Sequence, residues 1–87
     1  MSEKTLTVEF VTPEKRVFSG KAISLFARTL EGDLGILVDH APLFGVLVDG
    51  KVRIKGLDAS LQEFEVSGGF ISVAYNRISV LGESATQ

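Results

Sequence analysis

One stretch of this 87-residue chain gathers the residue types that chemistry uses. "EGDLGILVDHAP", Glu31 to Pro42, holds three acids, two glycines, the only histidine and one of two prolines. Carboxylates beside an imidazole could ligate a metal, transfer protons, or only shape a turn. With one histidine and no cysteine, a metal at His40 would need Asp39, Asp33 and Glu31 for its remaining ligands. Neighbouring residues on a strand point to opposite faces, so Asp39 and His40 converge only where the chain turns. No serine stands in a G-x-S-x-G elbow. "SGG" (Ser67–Gly69) lacks the lysine and further glycines of a phosphate loop and precedes a strand-like run, which points to a bulge or close strand crossing. Catalytic residues, metal and cofactor are therefore all expected to be absent.

The elements that must position this stretch are strands. "TLTVEFVT" alternates Leu6, Val8 and Phe10 against Thr7 and Glu9. "KVRIK", "EFEV" and "RISV" repeat the pattern with Val52 and Ile54, Phe64 and Val66, Ile78 and Val80 facing one way. "AISLFA" (Ala22–Ala27) reads as a more buried strand. Asp49-Gly50 predicts a two-residue hairpin turn, and "GLDAS" and "YNR" predict turns between later strands. Helical periodicity is missing throughout, and "HAPLF" has room for one turn of helix at most. Eight to ten short strands predict an all-β fold, a flattened sandwich or barrel, as a single domain over residues 1–87. The polar tail "GESATQ" (82–87) is expected to be frayed.

Composition removes further classes. Apolar residues make up 45% and charged residues 23%, as in ordinary globular chains. A net charge of −2 with scattered cations argues against nucleic acid, which requires clustered positive charge. "FGVLV" (Phe44–Val48) is too short to insert in a bilayer, and the start carries neither a signal-length apolar run nor transit-peptide character. A cytosol-like compartment is expected.

Three segments carry a resemblance: "TPEKRVFSG" (Thr12–Gly20), "EGDLGILVDHAPLFGVL" (Glu31–Leu47) and "SGGFISVAYNRISVL" (Ser67–Leu81). In order and spacing they resemble the N-terminal β-sandwich of the F-type ATP synthase epsilon subunit, with "GDLGIL…HAPL" the most specific part. That resemblance implies a ten-stranded flattened sandwich and a mechanical role in the central stalk. The stalk joins the gamma subunit to the c-subunit ring and couples proton translocation to ATP synthesis. The implied location is the cytoplasmic face of a bacterial plasma membrane, peripheral, as part of F1. It further implies ring contact through Glu31, Gly32, Asp33 and His40, with the glycines better explained by turn geometry. Gamma contact falls on Thr12, Val17, Pro42, Leu43 and Gly45, of which Leu43 serves nearly as well as core. The family's usual form continues into two antiparallel helices that inhibit hydrolysis and in some members bind ATP. This sequence ends at Gln87, so neither property is expected of it. The alternatives are a free-standing interaction module and, less favoured, a small His/Asp metal-binding domain.

Overall fold

A computed structural model describes residues 4–87. Among them are ten strands and no helix, an all-β architecture as the period-two pattern predicts. In chain order these are β1 (Leu6–Val11), β2 (Arg16–Ala22), β3 (Ser24–Thr29), β4 (Gly32–Leu37), β5 (Leu43–Leu47), β6 (Gly50–Lys55), β7 (Leu61–Val66), β8 (Gly69–Ala74), β9 (Arg77–Gly82) and β10 (Ala85–Thr86). One continuous sheet runs β10-β7-β6-β3-β5-β8-β9-β1-β2, with β4 attached to β3.

The fold closes on itself at β3. One edge of β3 pairs with β4 along its whole length, from Ser24↔Leu37 to Thr29↔Gly32. The other edge is shared, with Ser24 to Phe26 on β6 and Thr29 alone on Leu47 of β5. Strands that change partner in this way turn sandwich corners and link the two layers. Every pairing is antiparallel except β1 with β9.

The alternating apolar positions meet between the layers. Leu6, Val8, Phe10, Val52, Ile54, Phe64, Ile78 and Val80 are all buried in one cluster with Leu25, Ile36 and Ile71. Phe10 and Phe64 meet edge to face, ring centroids 5.4 Å apart, which bonds the two layers at their centre. No buried side-chain nitrogen or oxygen among the described residues lacks a hydrogen-bond partner.

Two expectations, one about a turn and one about the tail, are corrected. Asp49-Gly50 is no hairpin, because β5 and β6 do not pair; β3 lies between them. Val48 N donates to Arg28 O at 3.1 Å, so the chain crosses from one layer to the other at this point. The Asp-Gly pair marks a turn, and which strands it joins is decided by long-range pairing. The tail is also not wholly frayed: Ala85 and Thr86 pair with Val66 and Glu65, and Ser67 N donates to Ser84 O at 3.0 Å. The open edge of β7 supplies backbone partners that a polar tail can use as well as an apolar one. The "YNR" turn does form a hairpin, with Tyr75 and Asn76 both at positive φ (51° and 61°), as a type I′ turn requires.

At "SGG" the two glycines sit at φ 68° and 125°. A β-carbon on Gly69 would lie 2.0 Å from Leu81 O on β9. The close strand approach predicted from sequence is the reason for glycine here.

Candidate functional site: two interaction surfaces

The opening stretch is divided by β4 into two separate places. At one end, Leu30 and Glu31 form the loop between β3 and β4, and Gly32 closes it at φ 120°. Thr29 Oγ1 fastens this loop, donating to Gly32 O at 3.0 Å and accepting from Glu31 N at 3.2 Å. Leu30 stands 71% exposed at the tip. Glu31 is exposed and makes no ion pair among the described residues. Asp33 is different: Arg28 Nε lies 3.0 Å from its Oδ1, across the Arg28↔Asp33 pair of the ladder. Of the two acids that the resemblance implies at the ring, Glu31 alone is without an ion pair among the described residues.

At the other end of β4 the chain turns through Asp39 and His40. Asp39 has φ 67°, a conformation that aspartate tolerates better than most residues. Its Oδ1 accepts from Asn76 Nδ2 at 3.1 Å while its backbone N–H donates to Asn76 Oδ1 at 2.6 Å. Lys4 Nζ adds an ion pair to Oδ2 at 3.1 Å. This small clamp ties the β4–β5 connection to the β8–β9 hairpin and the start of the chain. His40, half-buried, places Nδ1 2.7 Å from Ala41 O. The extended length of β4 separates His40 from Glu31, about 17 Å from Gly32 to Leu37 by strand rise. They are not parts of one site. Among the described residues no three His, Cys, Asp or Glu side chains gather as a metal site.

The Asp39 carboxyl is held below its ordinary value near 3.8, chiefly by the Asn76 hydrogen bond and then by Lys4. A depressed folded-state value means that the clamp stabilises fully above the unfolded aspartate range and fades as pH falls through the lower folded value. Urea midpoints of the parent and Asp39→Asn are expected to differ at pH 7 and to converge in strong acid. A gap that persists undiminished at pH 2 would show that ionised Asp39 is not the cause.

The residues predicted on gamma-facing grounds are mostly turned inward. Thr12 is buried, its backbone and hydroxyl both bonded to Lys15 O (2.8 and 3.3 Å) in the β1–β2 turn. Leu43 and Val17 pack against the core. A side chain at Gly45 would press on Ile71 and Thr29. Of the five, only Pro42 is exposed. Along β5 the alternation puts Leu43, Gly45 and Leu47 inside, so Phe44 and Val46 face out. The gamma positions came from the family resemblance, and "PLFGVLV" contains no polar residue whose alternation could have marked Phe44 and Val46 as the outward set.

What stands outside is an apolar face that alternation alone did not reveal. Phe44 (69% exposed) stacks on Phe70, centroids 5.6 Å apart. Val46, Phe70 and Leu81 lie in register across β5, β8 and β9. Phe44, Phe70, Ser72, Ser79 and Leu81 enclose a shallow hollow of about 240 Å³ with almost wholly apolar walls. Contiguous exposed apolar groups of this kind mark interaction surfaces. Leu30 N donates to Val46 O at 3.0 Å, which joins the exposed tip to this face. A second groove, on the outer side of β3, β4, β6 and the start of β7, is walled by Phe26, Leu37 and Leu61, with the Arg53 guanidinium 5.5 Å from the Phe26 ring centroid.

Residues 5–87 match the family model for the β-sandwich domain of the ATP synthase delta/epsilon chain. The ATP synthase epsilon chain of Chlorobaculum tepidum is 40% identical over 85 residues, covering 98% of this chain and 97% of that one. The chain belongs to the ATP synthase epsilon chain family. The epsilon chain of Streptomyces avermitilis is 45% identical over 80 residues; the match covers 92% of this chain but only 64% of that relative. In fold, the chain superimposes with a TM-score of 0.91 and 17% identity on a chain of Euglena gracilis mitochondrial ATP synthase, described as OSCP/F1/c-ring. That match covers 97% of this chain and 54% of the other. A chain from the Tetrahymena thermophila mitochondrial ATP synthase central stalk and c-ring gives a TM-score of 0.80 at 19% identity, over 100% of this chain and 69% of that one.

Proposed function

We propose that this epsilon-family chain is a non-catalytic part of the F1Fo ATP synthase central stalk, docking gamma onto the c-subunit ring and coupling proton translocation to ATP synthesis. Its place would be peripheral, at the cytoplasmic face of the bacterial plasma membrane. The observation that carries the reading is the pairing of two unlike surfaces on one stiff body. An apolar face around Phe44 and Phe70 suits stable association with a subunit that turns with it. A projecting turn with Leu30 and with Glu31, which makes no ion pair among the described residues, suits polar contact with ring loops that protrude into water.

Torque passes without loss only through an element that does not deform. Ten strands closed around a core with buried polar groups satisfied meet that demand. Gamma is assigned to the outer face of β5, β8 and β9, in place of the inward Thr12, Val17, Leu43 and Gly45. The ring is assigned to the Leu30–Gly32 tip with Asp33 beside it on β4, and His40, beyond the opposite end of β4, is left out of that contact. A single exposed ion pair at Glu31 contributes only about 0.2–1 kcal/mol, so ring contact must add shape and several weak pairs.

Two measurements test this. Mixed with gamma at micromolar concentration, the chain is expected to elute as a stable complex in gel filtration; separate elution would favour a free-standing module. The described residues contain no helix to lodge against the catalytic subunits. The 87-residue polypeptide at a one-to-one ratio is therefore expected to leave ATP hydrolysis by the catalytic complex nearly unchanged. Strong inhibition would contradict that expectation.

A further inference from the structure

We infer that the outer face of β5, β8, β9, β1 and β2 is shaped for one amphipathic helix of the partner, apolar on one flank and acidic on the other. The inference rests on the stalk reading above, which places gamma on this face, and it names what gamma must present there. The ladders align three parallel rows across the strands. One is apolar: Val46, Phe70, Leu81 and Val11, ending at Arg16. The middle row is mostly small: Ser72, Ser79, Glu9 and Ser19, entered from Phe44. The third carries cations, Arg77 on β9 and Lys21 on β2, with Thr7 between them.

Dimensions fit a helix lying along the middle row. Leu81 and Arg77 are four residues apart on β9, which separates the apolar and cationic rows by about 13 Å. An α-helix with its side chains is roughly 10–12 Å across. Five strands give the row a length of about 19 Å, or some thirteen helical residues. The serines in the middle leave the trough open to such a cylinder, and its apolar end is the hollow beneath Phe44 and Phe70.

Charge decides which helix. Arg77 and Lys21 make no ion pair among the described residues; Lys21 Nζ contacts only the Thr7 hydroxyl, at 2.9 Å. Glu9, the one acid in the trough, is already answered by Arg16 Nε at 3.6 Å and by the Ser19 hydroxyl. The cationic row is thus free to take carboxylates while the opposite row takes leucine-like side chains. A cationic or wholly apolar helix would leave Arg77 and Lys21 without partners under the contact.

The chain has no cysteine, so a single Ser79→Cys gives a unique attachment point for a photo-crosslinker. In the complex with gamma, captured residues should recur at intervals of three and four along one segment, with carboxylates toward the Arg77 side. Captures at every second residue would mean a strand, and captures scattered over several segments would mean no single element; either overturns the inference. Affinity for gamma separates this from the reading beneath it. Phe70→Ser is expected to weaken gamma binding about tenfold or more, and Arg77→Glu with Lys21→Glu about as much, with the salt dependence of binding inverted because salt then screens a repulsion. If Phe70→Ser weakens binding and the charge reversals do not, gamma docks here without an acidic helix and the inference fails alone. If neither changes binding, gamma is not on this face and both fail. All these positions are exposed, Phe70 among them (46%), and a cooperative thermal transition within several degrees of the parent's verifies that each variant is folded.

Discussion

Gly69→Ala is expected to lose on the order of 3–5 kcal/mol of stability, because two costs coincide in one methyl group. The backbone at φ 125° lies in a region that side chains rarely adopt. The added carbon would also fall 2.0 Å from Leu81 O and 2.8 Å from Gly82 Cα. Both are backbone atoms of β9 in the ladder that joins β8 to β9, so neither can swing away. Small domains have only about 5–15 kcal/mol in total, and the thermal midpoint should drop by well over ~10 °C. Gly35→Ala on β4 is the control. Nothing stands within 4 Å of its added carbon, and its φ is not positive. It should shift stability by less than about 1 kcal/mol. A Gly69→Ala protein that melts within a few degrees of the parent would show that β8 and β9 can part without cost, contrary to the register seen here.

Phe10→Ala is the second large effect, with an expected loss of about 3–5 kcal/mol. The side chain is fully buried, meets Phe64 edge to face across the layers, and sits beside Gly82. Its removal leaves a void walled by strands whose positions are fixed by backbone ladders, so little collapse can fill it. Phe70→Ala removes the same group from the outside and should cost no more than about 1 kcal/mol of stability, mostly its stacking on Phe44. Calorimetry on both variants checks the pair. Equal losses would mean that Phe70 carries a structural load its exposure does not show. The contrast also separates stability from docking: Phe10→Ala should weaken gamma binding only through unfolding, whereas Phe70 acts in the folded state.

Much of this was legible in the residues. Where polar and apolar positions alternate, as at Val52 and Ile54 or Ile78 and Val80, the inward face follows from the two-residue strand period. Gly68 and Gly69 declared a backbone that other residues resist, and Tyr75-Asn76 formed the turn expected of it. The shortage of histidine and cysteine removed most metal and nucleophile chemistry before any geometry was known.

Other features depended on partners far away in sequence. Phe44 and Leu43 are equally apolar neighbours, and only the pairing of β5 with β8 decides which of them faces out. Asp49-Gly50 has the chemistry of a hairpin, yet β3 takes the place between the two strands it joins. Asp33 was free in sequence and is answered by Arg28 through cross-strand register. Arg77 and Lys21 share a row because β9 and β2 both flank β1. Local composition and period thus determined that this chain is an all-β body and which residues could form its core. The tertiary structure decided which apolar residues are left for a partner, because sheet register, unlike strand period, is set by strands brought together from opposite ends of the chain.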